Sequence, residues 1–164
     1  FRFIGGVADE TGKEVVEKLA QLKDAGINID YSEKLLSDAE FEEKMNRVDM
    51  LILPAPNTIM VEGFEEEYNR TKISGTVGHQ IRRGLPVLQP DWCPADEHFA
   101  KSTIHYANGD DLKEKIEFLI ESPSELRALK EFALDAANDY IPEKIAEHIS
   151  ETLLAHFFLN EKPE

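Results

Sequence analysis

The chain has 164 residues, enough for one domain that buries a real core, and its 41% hydrophobic and 31% charged content reads as globular, not disordered. Net charge is −15, from 33 acidic against 18 basic residues, so the summed field of the surface opposes nucleic acid and anionic lipid, and no nucleic-acid partner is expected. No apolar run approaches the ~20 residues of a membrane helix, no signal-peptide pattern opens the sequence, and the single cysteine, Cys93, excludes an internal disulfide framework; the expected setting is the cytoplasm, with no membrane span.

FRFI (1–4) reads as a buried strand and Gly5-Gly6 as the tight turn beyond it. Thr11 with Glu14 has the spacing of a capping box, and Val15, Val16, Leu19 and Leu22 mark one helical face that Gly26 stops. INIDY (27–31) is a second strand. Ser37 and Glu40 repeat the capping box before Phe41, Met45 and Val48 at helical spacing. DMLILP (49–54) is a third strand, nearly all apolar, as expected when both faces are covered. The segment 55–70 is longer than most βα connections and reads either as a binding loop or as a plain excursion with a short helix.

A small polar turn, Ser74-Gly75-Thr76, then opens a helix that Gly84 ends, and LPVLQ (85–89) follows as a fourth strand. TIHYA (103–107) is the fifth. Leu112, Ile116, Leu119 and Ile120 form a helical stripe. Ser122-Pro123-Ser124-Glu125 starts another helix, with Pro at the first position and a Ser122–Glu125 capping box, and Leu126, Leu129, Phe132, Ala133 and Ala136 continue it. Ile141, Ile145, Ile149, Leu153 and Phe157 mark a final long helix. Strands alternate with helices and no hairpin signal appears. The expected fold is therefore α/β: a Rossmann-like three-layer α/β/α domain spanning 1–164, with a mainly parallel sheet of about five strands and a helical tail.

The helix start at Ser74, Gly75 and Thr76 carries the sharpest chemistry. Free backbone N–H groups and the positive end of the helix dipole make such a turn an anion site, and open parallel sheets place ligands at their carboxyl edge. Lys72 beside the turn adds charge to that site or is merely solvated, and His79 is a donor to ribose or phosphate or a plain polar helix residue. Asp91 and Trp92 follow the fourth strand directly, where a bound sugar or base would pass, although Trp92 also fits as a rim aromatic over the core edge. Arg82 and Arg83 precede the helix stop, where cations favour the dipole. Cys93, Asp96 and His98 lack zinc-site spacing and a fourth partner, so no metal is expected, and no cofactor either. No Ser-His-Asp order, Cys-His pair or Walker lysine loop stands out, and Gly5-Gly6 lacks the dinucleotide spacing; the catalytic residues stay unassigned.

The order FRFIGG, helix, strand ending in Leu51-Ile52-Leu53-Pro54, loop, Ser74-Gly75-Thr76, Gly84, Leu85-Pro86-Val87-Leu88, then Asn108-Gly109-Asp110-Asp111-Leu112 and a stripe ending in Ser122-Pro123, resembles the donor-binding half of GT-B-fold glycosyltransferases. The resemblance covers nearly the whole chain. It implies transfer of a sugar from a nucleotide-diphosphate-sugar donor, with Ser74, Gly75 and Thr76 facing the diphosphate and the sugar lying near Gly5, Gly6 and Asp91. The acidic pair usual on and before that helix is replaced by Thr71 and His79. FRFIGG corresponds to the family's second strand, so the resemblance implies a portion of a two-domain enzyme without its N-terminal domain, inactive by itself. Ala155–Leu159 fits packing on that domain or on a second copy. The other expectation is a non-catalytic Rossmann-like binding or assembly module.

Overall fold

A computed structural model describes residues 1–4, 7, 10–68 and 70–158. They fall into two units, Phe1–Val48 and the chain from Asp49 onward. In the first unit, β1 (Arg2–Phe3) pairs in parallel with β2 (Asp30–Tyr31), Arg2 opposite Asp30 and Phe3 opposite Tyr31. Helix α1 (Glu10–Asp24) joins them and α2 (Asp38–Met45) follows. Asp30 meets cations from two other elements of the unit: its carboxylate accepts from Lys44 Nζ at 2.6 Å and lies 3.6 Å from Arg2 Nε. Leu19 of α1, Ile29 just before β2 and Met45 of α2 are buried there, while Val15 and Leu22, expected on the same helical face as Leu19, stay exposed.

The two caps expected in this unit come out differently. Ser37 makes its capping box in full: its side chain accepts from the Glu40 N–H, and the Glu40 carboxylate accepts from the Ser37 N–H at 2.9 Å. Those bonds from Ser37 hold the Glu40 carboxyl below its usual pKa. Helix α1, by contrast, already includes Glu10, so Thr11 sits inside its first turn and not at the cap. Gly26 ends the following turn with φ 91, a left-handed value that favours glycine.

The second unit is built on a three-stranded parallel sheet in the order β3-β6-β7: β3 (Leu51–Ile52), β6 (Val87–Pro90) and β7 (Thr103–Tyr106). Between β3 and β6 come a hairpin, β4 (Thr58–Val61) with β5 (Phe64–Glu67), and helix α3 (Gly75–Arg83). After β7 follow α4 (Gly109–Glu121), α5 (Pro123–Ala137) and α6 (Pro142–Phe158). Side chains alternate across a pleated strand. Leu88, Ile104, Tyr106, Met50 and Ile52 point to one face, where Leu112, Ile116 and Leu119 of α4 and Leu126 and Leu129 of α5 pack on them. On the other face, Gln80 of α3 donates to Thr103 Oγ1 at 3.3 Å. β6 is buried along its whole length, as its all-apolar start predicts for a central strand.

The architecture is thus mixed α/β with six helices and parallel sheets of two and three strands among the described residues, and no single five-stranded sheet joins them. Three local expectations also change. The 55–70 connection holds an antiparallel hairpin, closed by Glu62 at φ 51 and Gly63 at φ 87, in place of a short helix. Both turn residues are left-handed, the conformation that matches strand twist in two-residue hairpins. Ser122 makes no side-chain cap: it is at once the C-cap of α4 and the N-cap of α5, with φ −121 and ψ 71, and Pro123 is the first residue of the helix. Of the final stripe, Ile141 just before α6 and Ile145 and Ile149 within it are between 40 and 52% exposed.

Candidate functional site

Parallel pairing puts the carboxyl ends of β3, β6 and β7 on one edge of the second unit. Helix α3 starts on the chain that leaves β3 at that edge and ends at Gly84, just before β6 begins. Ser74, Asp91 and Asn108 therefore share an edge by topology. Asp91 is exposed in the turn after β6, and its N–H is taken by Tyr106 O at 3.0 Å, which locks the β6 and β7 exits together. Below it, buried Gln89 donates to Cys93 O at 2.9 Å and lies 3.1 Å from His105 Nε2. Tyr106 Oη donates to Leu53 O at 2.8 Å, so the three strand ends are cross-tied. Such ties make the edge a rigid frame.

Ser74 is the N-cap of α3. It is buried, extended at φ −72 and ψ 140, and its Oγ accepts from the Thr76 N–H at 3.0 Å. Its carbonyl accepts from the Val77 N–H at 3.1 Å. The protein's own cap therefore takes up the Thr76 amide, while the Gly75 N–H, at the first helical position, has no intrahelical acceptor. Gly75 and Gly78 are both exposed, and a Cβ built on either would meet nothing within 4 Å. His79 stands four residues after Gly75 and so on the same side of the helix, half-buried.

The remaining predicted residues scatter. Lys72 pairs through its backbone, with its N–H on Glu67 O at 3.0 Å, at the foot of the hairpin. Thr71 is turned to the same hairpin, donating from Oγ1 to the Glu66 carboxylate at 2.6 Å and accepting the Glu67 N–H at 2.9 Å. Gly5 and Gly6 lie outside the described residues. Asp96 is engaged with its neighbours: its carboxylate accepts the His98 N–H at 2.9 Å and the Tyr140 hydroxyl at 3.2 Å, and the His98 ring stands edge-on to Tyr140. Among the described residues no group of three or more His, Cys, Asp or Glu side chains converges as metal ligands would.

One hollow was not foreseen from the sequence. In the first unit a surface depression of about 540 Å³ opens at the carboxyl end of β2, lined by Tyr31, Ser32, Lys34, Leu35 and Glu40 among others. No predicted site residue lines it. Its sequence signal is the stretch between Tyr31 and the Ser37 cap, too long for a tight turn and carrying an 88%-exposed leucine, Leu35. Comparison with known proteins returned no matching family model, curated protein or solved structure. No helix of the described residues is long and apolar enough to cross a membrane.

Proposed function

We propose that this chain is the donor-binding part of a GT-B-type glycosyltransferase, which binds the diphosphate of a nucleotide-diphosphate-sugar at the start of α3 and transfers the sugar together with a further, N-terminal domain. The observation that carries this reading is the bare face of α3. Glycine inside a helix costs up to about 1 kcal/mol relative to alanine, yet Gly78 has neither a positive φ nor a neighbour that excludes a side chain, and Gly75 at the first helical position has the same open space. A close approach by something outside the chain gives both glycines a purpose, and the dipole and the Gly75 amide at that helix end favour an anion. The order of motifs along the chain adds the sugar-nucleotide class.

The test is titration calorimetry of the chain with UDP, GDP and ADP. We expect heat of binding for at least one, retained in Gly84-preserving surface controls and lost in Gly75→Val and Gly78→Leu, whose circular dichroism should match the parent. Equal affinity in both variants sinks the assigned face. A second reading, the non-catalytic binding or assembly module, is favoured by the Ser74 cap, whose own hydroxyl oxygen accepts the Thr76 amide. Absence of binding to all three nucleotides by the parent chain selects that reading.

A further inference from the structure

Asn108 and Gly109 start α4 with a chemistry that the proposed function does not use. Asn108 is the asparagine of this chain that glycine follows, and both residues are exposed. In such a pair the next main-chain nitrogen reaches the side-chain amide carbon with no side chain in its way. A Cβ at Gly109 would meet nothing within 4 Å, and its N–H, at the first helical position, has no intrahelical acceptor. Opposing this reactivity is a cap made of four ties. Asn108 Oδ1 accepts the Asp110 N–H at 3.0 Å and the Asp111 N–H at 3.1 Å, with the residue fixed at φ −161 and ψ −176. The Asp111 carboxylate then accepts the Ala107 N–H at 2.8 Å and is itself held by Lys115.

We propose that Asn108–Gly109 is a latent deamidation site, held unreactive by the cap of α4 and released when the first turn of that helix opens. While Oδ1 is held by two amides, the carboxamide cannot swing its carbon onto the Gly109 nitrogen. On opening, that nitrogen gives up its proton and bonds to Asn108 Cγ. The Cγ–Nδ2 bond breaks, and ammonia leaves with the proton. Solvent water then opens the five-membered imide at one or other carbonyl, leaving aspartate or isoaspartate at position 108. The isoaspartyl product routes the chain through an extra methylene, so it abolishes the cap and places a new carboxylate beside Asp110 and Asp111.

The full chain is incubated in mildly alkaline buffer, with and without denaturant, and residue 108 is followed by peptide mass spectrometry and isoaspartyl methyltransferase labelling. The unfolded chain should react at least about tenfold faster than the folded one, because first-turn opening limits the folded reaction. Asp111→Ala, which removes the tie to Ala107 and Lys115, should raise the folded rate several-fold; Lys115→Met, a milder loosening of the same tie, covers the case in which Asp111→Ala does not fold. Asn108→Gln should abolish the signal. Equal rates in folded and unfolded chains, no reaction at 108 in denaturant, or folded rates unmoved by either variant overturn the proposal.

Discussion

Gly84 closes α3 at φ 58 and ψ 46, and its N–H returns to Gln80 O. A Cβ there would lie 2.8 Å from Leu134 Cα, a backbone atom of α5 that no rotamer change can move aside. Two costs therefore add at this position: the left-handed conformation, about 1–2 kcal/mol for an L side chain, and displacement of α5 from its seat. Gly84→Ala should lose at least about 2 kcal/mol in urea unfolding, whereas Gly78→Ala, with open space and ordinary helical φ, should gain up to about 1 kcal/mol. Matching effects at the two sites would mean that α3 and α5 do not meet as described. The contrast bears on function as well. Of the glycines on α3 and at its end, Gly84 is explained by packing, whereas a Cβ at Gly75 or Gly78 would meet nothing within 4 Å.

Between elements, the tie that matters most is Tyr106 to Leu53, since it links the edge strands of the three-stranded sheet across β6. Tyr106→Phe leaves a buried carbonyl without its donor and should cost about 1–2 kcal/mol. Burial, with Cys93 adding to it, raises the phenol pKa above its ordinary 10.0. The folded state then holds that proton more tightly than the unfolded chain. Its contribution is whole below the unfolded pKa and is lost as pH climbs through the folded one, so the parent should weaken in strong alkali more steeply than Tyr106→Phe. Parallel alkaline declines in denaturant melts would count against the buried hydroxyl. Elements of this kind were partly legible in the sequence. Ser37–Glu40, Gly26, Pro123 and Gly84 mark helix ends by local chemistry alone, and they stand where the structure has them. Strand length was not legible, because β1, β2 and β3 pair over only two residues each and pairing depends on partners far along the chain. The hairpin escaped notice because Glu62-Gly63 lacks the Asn or Asp of the commonest such turn and β5 reads Phe-Glu-Glu-Glu, with no apolar alternation. Ser-Gly-Thr announces a helix start, which is real, but no spacing reveals whether the amides there serve the protein or a ligand.

Over the whole molecule, charge sets two opposing effects. The excess of 15 negative charges repels itself across the surface and disfavours the compact state. Against it stand ion pairs such as Lys13–Glu10 and Lys113–Glu117, both largely exposed and each worth little in water. Salt near 0.15 M shortens the range of both to about 8 Å, which removes more of the many long-range repulsions than of the few close attractions. Melting temperature should therefore rise on adding salt, by about 2–4 °C for each kcal/mol of repulsion relieved in a chain of this size. Acid acts on the same balance with a definite sign. Lys115 and the Ala107 N–H hold Asp111 below the usual carboxylate range, and Lys144 does the same for Asp139. Depressed carboxylates contribute stability that is present above their unfolded pKa and lost as pH falls through the lower, folded value. Between neutrality and the top of the carboxylate range the molecule loses little of this and sheds some self-repulsion, so mild acid should leave stability level or slightly higher, with the fall beginning only below it. Calorimetric scans across salt and pH check both signs, and a melting temperature that drops on adding salt would show that the ion pairs outweigh the surface repulsion.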